Sequence, residues 1–322
     1  LPGLTVSGER MADKAAAEQL KTACQGADVT VKKVERKDKS EKPPALYDLT
    51  TLQRDANRLL GFTAQQTLDY LQNLYEKKLC TYPRTDSRYL TSDMAEGLPV
   101  LVNLVANAMP FRKGIAISCD AGAVINDKKV TDHHAVIPTR NLQNADLSGL
   151  PVGERMILEL VALRLLCAVA EPHTYSETAV TVECAGAEFT TKGKTVKRPG
   201  WRALDAAYRA ALKNAEPDKE TEDKALPLTA VGTGLLRTES VILNELSEQE
   251  LSEGQTLPLS GAVIKEGKTS PPKHFTEDTL LSAMETAGKD DMPEDAERQG
   301  LGTPATRAGI LEKLVSTGFL ER

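Results

Sequence analysis

The sequence predicts a multidomain α+β protein, with a helical domain inserted into a strand-rich one and further helix at the end. Three observations predict it. Residues alternate in strand fashion over 28–36 and again after Pro172. Between those stretches, over 45–170, apolar residues recur at three- and four-residue spacing. From Phe275 onward the helical pattern returns. A chain of 322 residues with 40% hydrophobic content is long enough for two or three separate cores.

The first element is a short Ala-rich helix over 12–24, followed by the strand DVTVKKVER. KDKSEKPP then breaks the alternation, and Pro43 and Pro44 stiffen a connection, so the first strand-rich part is read as 1–44. The helical domain is read as 45–171. Within it Thr63-Ala-Gln-Gln66 has the form of a capping box, and Leu68, Leu71, Leu74 and Tyr75 give one apolar face. That helix ends before LCTYPRTD, where Pro83 stops regular structure. LPVLVNLVANAM (98–109) and ERMILELVALRLLCAVA (154–170) read as two more helices, and DHHAVIPTR (132–140) as a short strand-like piece.

The second strand-rich part is read as 172–274. SETAVTVECAGAEFTTKGKTVKRPGWRAL is taken as antiparallel strands turning at Gly193, 211–226 as a polar loop, and Leu235 to Pro272 as further strands and turns. In the last part, 275–322, Thr276 caps a helix whose first turn carries Glu277 and Asp278, and Gly288 stops it. DDMPEDAERQG reads as a solvated acidic loop. Thr303 and Pro304 open a final helix with Ile310, Leu311, Leu314 and Val315 on its buried face and Gly318 closing it.

The net charge of −6 conceals an asymmetry. Residues 1–90 hold 15 basic and 12 acidic side chains, whereas residues 201–322 hold 14 and 22. The surroundings of Tyr82 are therefore mildly basic, and phosphate needs a local positive face rather than a basic average. No apolar run reaches the roughly 18 residues of a membrane span, so no membrane partner is expected. The five cysteines are scattered, with no Cys-x-x-Cys pair, which argues against a zinc site or disulfide framework and for a reducing cytoplasm. The opening LPGLTVSGER lacks a basic segment leading into an apolar core, so it is not read as a secretory signal. It starts on Leu rather than Met, and we read the chain as a piece of a longer protein.

LCTYPRTDSRYL, Leu79 to Leu90, sets Tyr82, Arg84 and Asp86 two positions apart. In an extended segment such residues share a face. A phenol ionises near pH ~10, so a phenolate at neutral pH costs roughly 4 kcal/mol. A nucleophilic tyrosine therefore needs help with its proton, or an electrophile whose charge is neutralised. A phosphodiester suits it, because an arginine can neutralise phosphate through a bidentate contact. Arg84 is the candidate for that role. Asp86 repels phosphate and is expected to orient Arg84 or a backbone group. His133 and His134, two of only four histidines, precede Pro138, Thr139 and Arg140 and could supply a proton carrier or a further phosphate ligand. The plainer readings are a packing tyrosine and a surface turn, and residue types alone leave them open.

TYPRTDS at 81–87 resembles the active-site signature of type IA DNA topoisomerases. The stretch from PPALYDLTTLQRD to SRYL resembles the family's approach to that tyrosine, DHHAVIPT its histidine segment, and FTEDTLLSAMETAG with GLGTPATRAGILEKL a later helical motif. The double histidine, LYDLTTLQ and GLGTPATRA resemble the topoisomerase III branch most. The resemblance runs from about Gly8 to Arg322, with four motifs in order.

The resemblance implies that Tyr82 attacks a phosphodiester of single-stranded DNA and keeps the 5′-phosphate while the 3′-OH leaves. Another strand passes through the gap, and the 3′-OH reseals it without ATP. Arg84 maps onto the family's catalytic arginine and His133 onto the histidine of its AHxAI-type segment. Thr85, Asp86, Arg88, His134 and Arg140 are implied near DNA, as are Thr303, Thr306 and Arg307 from the last helices. The implied fold is a discontinuous β-rich arch carrying an inserted winged-helix-like domain with Tyr82, plus part of a C-terminal helical domain. The family's Toprim domain, with a glutamate and a DxD group that hold Mg²⁺, has no counterpart in this sequence. No metal ligand is therefore assigned, and the chain alone is expected to be incomplete for cleavage. The full-length parent is expected to be a monomeric cytoplasmic enzyme of the nucleoid, with a helicase as partner.

Three readings from other classes compete. One is a non-catalytic single-stranded-DNA-binding module with Tyr82 as packing. Another is a tyrosine recombinase, against which the order counts, because Tyr82 precedes His133. The third is an interaction or structural domain, supported by the acidic last third.

Overall fold

The computed structural model describes residues 5–6, 11, 13–112, 114–215, 235–236, 251–265, 271–288 and 300–322. In chain order the elements are β1 (Thr5–Val6), α1 (Lys14–Cys24), β2 (Asp28–Glu41), α2 (Leu49–Leu60), α3 (Ala64–Glu76), α4 (Leu98–Ala108), α5 (Val152–Ala168), β3 (His173–Cys184), β4 (Ala187–Arg198), α6 (Trp201–Ala215), β5 (Leu235–Leu236), β6 (Thr256–Pro258), β7 (Ile264–Lys265), α7 (Glu277–Thr286) and α8 (Pro304–Ser316). The fold is α+β. Its contacts divide it into two units, one of Leu1–Glu41, Thr174–Arg198 and Asp218–Pro272, the other of Lys42–His173, Pro199–Pro217 and Lys273–Arg322.

The first unit is a five-stranded sheet in the order β1-β4-β3-β2-β6, with a two-stranded β5-β7 pair. Its core is Cys24 from α1 with Val29, Val31, Val180, Val182, Cys184 and Phe189 from the strands. Val29 and Val31 are the alternation that marks β2 in the sequence. Beyond them β2 does not stop at KDKSE, as the sequence reading has it, but runs to Glu41. Along it runs an exposed charged ladder, with Lys32 on Glu183 at 2.6 Å, Lys39 on Glu177 at 2.7 Å and Asp38 on Lys197 at 2.6 Å. Such exposed pairs add little stability but set register, and no apolar alternation betrays them. The β3–β4 turn is also not at Gly193, which sits inside β4 opposite Thr178. It lies at Ala185-Gly186, both with positive φ (50° and 79°), as a two-residue hairpin requires.

The second unit is helical. α5 is buried on nearly every side, through Ile157, Leu158, Leu160, Val161, Leu163, Leu165 and Leu166, and α2, α3, α4 and α6 surround it. WRAL, read as strand, instead opens α6, whose Leu204 and Tyr208 complete this core. α3 begins with the capping box the sequence predicts: Thr63 accepts from the Gln66 N–H, and Gln66 accepts from the Thr63 N–H. One polar knot is buried in this unit. The Tyr47 hydroxyl donates to Asp55 at 2.7 Å, Arg164 pairs with Asp55, and its guanidinium lies 4.0 Å over the Tyr47 ring.

α7 and α8 belong to the same unit. Ala64, Leu281, Met284, Ala308 and Leu311 form their joint core with the start of α3. Glu277 accepts from the Ala64 N–H at 2.7 Å, placing a carboxylate on the positive end of α3. Arg54 binds Asp278 at 2.8 Å. Ile310 is exposed rather than buried, and Arg307 takes the inward position in its place. Residues 216–226, 237–250 and 289–299, read above as loop, strand and acidic loop, lie outside the described residues.

Candidate active site

After α3, Lys78 turns the chain back with φ 59°, and Leu79 N–H closes onto Leu74 O at 2.8 Å. The chain then runs extended beside the segment 135–139, where Ala135, Val136, Ile137 and Pro138 are all buried. Cys80 bridges to Pro138, and the Thr81 N–H donates to Ile137 O at 3.0 Å. The Ile137 N–H returns a bond to the Thr81 hydroxyl at 3.0 Å. Pro83 interrupts the pairing, and Thr85 restores it by donating its hydroxyl to His133 O at 2.8 Å.

These ties bring together two rings 51 positions apart in sequence. Tyr82 and His133 lie with centroids 4.2 Å apart and planes at 40°. Among the described residues neither the Tyr82 hydroxyl nor the His133 ring has a hydrogen-bond partner. On the other side Tyr75 meets Tyr82 edge-on at 5.5 Å and 83°. Tyr75 is thus not part of the apolar face of α3. It is 40% exposed, while Leu68, Leu71 and Leu74 are buried.

From Pro83 to Ser87 burial alternates, with Pro83, Thr85 and Ser87 inward and Arg84 and Asp86 outward. The shared outer face expected for Arg84 and Asp86 is present. A pairing between them, one of the two roles expected of Asp86, is not: Arg84 Nη1 donates to Gln72 Oε1 at 2.9 Å, and Asp86 accepts from the Thr131 hydroxyl at 3.5 Å. Thr85, read as a DNA contact, is 3% exposed and spends its hydroxyl on the His133 carbonyl. Arg88 is half-buried and donates Nε to Leu46 O at 3.1 Å. His134 holds Ala135 O at 2.8 Å through Nδ1, which must carry the proton because a carbonyl only accepts. Arg140 is exposed at the rim of a cavity of about 620 Å³ that Thr81, Asp93, Glu96 and Leu101 also line.

The last helix departs most from the sequence reading. Thr303 and Thr306 are exposed and cap α8, the Thr303 N–H donating to the Thr306 hydroxyl at 2.9 Å. Arg307 is not a free cation near phosphate. It is 3% exposed, and it donates to the Thr50 hydroxyl at 2.9 Å, to Leu301 O at 3.1 Å and to Gly302 O at 3.1 Å. Replacing Arg307 by Met is expected to cost about 3 kcal/mol in chemical denaturation, because the buried Thr50 hydroxyl and the part-buried Leu301 and Gly302 carbonyls lose a charged donor.

Sequence reasoning missed Gln72 and Tyr75 as neighbours of the tyrosine segment, and Glu76 as the partner of Gln72. Their signal was present as spacing: positions i, i+3 and i+4 of one helix face. Among the described residues there is no group of three or more His, Cys, Asp or Glu side chains that could hold a metal ion.

The family model described as DNA topoisomerase matches residues 4–322 of this chain. The chain belongs to that DNA topoisomerase family. DNA topoisomerase 3 of Bacillus licheniformis is 38% identical over 319 residues, covering 94% of this chain and 40% of the relative. The protein of the same name from Bacillus subtilis is 38% identical over 92% of this chain and 39% of its own length. These names agree with the type IA, topoisomerase III branch of the motifs. The chain thus spans about 40% of the topoisomerases it matches. The structure of full-length topoisomerase I from Thermotoga maritima superposes with a TM-score of 0.67 at 19% identity, over 99% of this chain and 45% of that one, which gives the fold.

Proposed function

We propose that this chain carries the nucleophile of a type IA, topoisomerase III-like DNA topoisomerase, and that Tyr82 cuts one DNA strand and holds its end. The Tyr82 oxygen attacks the phosphorus of a single-stranded backbone. The Oη–P bond forms, the P–O3′ bond breaks, and the phenol proton is passed on as the 3′-hydroxyl leaves. The reverse attack by that hydroxyl reseals the strand. Because the phosphotyrosine conserves the ester linkage, no ATP is needed.

The observation that carries this reading is the contact of the Tyr82 and His133 rings at 4.2 Å beside an outward-facing arginine, Arg84, on the same extended segment. Arg84 neutralises charge developing on the phosphate. His133 lies against the nucleophile, where it contacts phosphate or carries the proton. Asp86, His134 and Arg140 line the approach of single-stranded DNA.

In this reading the β-rich unit is the arch, and the helices around Tyr82 include the winged-helix-like domain it carries. The metal and its acidic ligands come from a Toprim segment of the full-length protein, so the chain alone does not complete the cleavage chemistry. Among the described residues no helix is long and apolar enough to cross a membrane. The working protein acts on DNA at the nucleoid, as a monomer beside a helicase.

The test is Tyr82→Phe in the full-length protein, assayed for relaxation of supercoiled DNA and for oligonucleotide binding. Relaxation is expected to vanish while binding stays near the wild-type value. Full relaxation by the variant would favour the non-catalytic binding module.

A further inference from the structure

We propose that Gln72 is a positioning residue for Arg84, so that one face of α3 sets both the nucleophile and its charge partner. The proposal rests on the reading of Tyr82 and Arg84 above. Gln72 and Tyr75 are three positions apart and therefore neighbours on the helix surface. Tyr75 contacts the Tyr82 ring by its edge at 5.5 Å, and Gln72 Oε1 accepts from Arg84 Nη1 at 2.9 Å.

Glu76, one turn further, fixes the amide. It accepts from Gln72 Nε2 at 3.0 Å. An ionised carboxylate only accepts, so the amide must turn its NH₂ toward Glu76 and its oxygen toward Arg84. One donor of the guanidinium is thereby taken and its plane is oriented, while other N–H groups of the fork stay available for a phosphate. A neutral amide suits this task, because it aims a cation without cancelling its charge. A carboxylate at the same place would compete with the phosphate for Arg84.

Four variants of the full-length protein test this: Gln72→Leu, Gln72→Glu, Arg84→Ala and the double Gln72→Leu/Arg84→Ala. Single-turnover cleavage of a saturating single-stranded oligonucleotide is measured with Mg²⁺, and its Kd and the melting temperature are measured separately. Gln72→Leu is expected to slow cleavage roughly tenfold to a hundredfold, as misplacement of a catalytic group does, with Kd and melting temperature held. The double variant should cleave no more slowly than Arg84→Ala, because the two residues act as one. Gln72→Glu should both slow cleavage and weaken binding. The proposal is overturned if Arg84→Ala is slow while Gln72→Leu cleaves at the wild-type rate, or if the two losses multiply. A Gln72→Leu loss that travels only with a lower melting temperature also overturns it. Wild-type cleavage by Arg84→Ala would instead remove the active-site reading on which the proposal stands.

Discussion

Arg84→Ala in the full-length protein is expected to slow single-strand cleavage about a hundredfold to a thousandfold, the usual cost of removing one preorganised charge from a developing anion. The argument is geometric. Arg84 faces outward two residues after Tyr82, with its head held by Gln72 rather than by an acid. Had Asp86 paired with it, the charge offered to the phosphate would have been partly cancelled. Arg84→Lys should recover only part of the rate, because an ammonium supplies a point charge without the planar fork. Rapid-quench kinetics at saturating oligonucleotide give both numbers. Equal rates for the lysine and alanine variants would mean that the charge itself is idle.

The second large effect concerns stability. Asp55→Asn is expected to destabilise the helical unit by about 3 kcal/mol, because Arg164 then keeps a buried charge without its counter-ion. Burial alone would raise the Asp55 pKa, but the Arg164 charge, the Tyr47 hydroxyl and Arg58 together hold it below the usual carboxylate range. A depressed folded pKa gives stability that is complete above the unfolded value, near pH ~4. That stability fades as pH falls through the lower folded value. The gap between wild type and Asp55→Asn should therefore be constant from neutral pH down to about pH 4 and shrink below it. Asp48 and Glu159 work the other way, since burial raises both. Their ionisation costs stability, and the cost is relieved as pH falls. Both are present in wild type and variant, so they cancel in the difference. Urea denaturation at a series of pH values measures it.

The sequence is readable where one periodicity dominates. Val29 and Val31 mark β2, and Leu68, Leu71 and Leu74 mark the inner face of α3, because apolar spacing follows from which side is buried. It is silent where charge replaces apolarity, as along β2, whose Lys32, Lys39 and Asp38 match partners on β3 and β4. It misleads where a polar residue is buried by distant chain. The resemblance implies Arg307 near DNA, yet its partner Thr50 lies 257 positions away and is fully buried.

The candidate site divides along the same line. Tyr82, Arg84 and His133 are visible as a motif with its spacing. The Gln72–Arg84 bond joins a helix face to a following loop, and that pairing depends on the turn at Lys78. Residue spacing carries no information about such a turn.

The central claim is that Tyr82 becomes joined to DNA. The full-length protein, incubated with a 3′-labelled single-stranded oligonucleotide and Mg²⁺ and then rapidly denatured, should yield a covalent adduct that retains the label. Mass spectrometry of the digested adduct should place a 5′-phosphate on Tyr82, and the adduct should be absent from Tyr82→Phe. An adduct on another residue, a link through a 3′-phosphate, or no adduct with active enzyme would contradict the account.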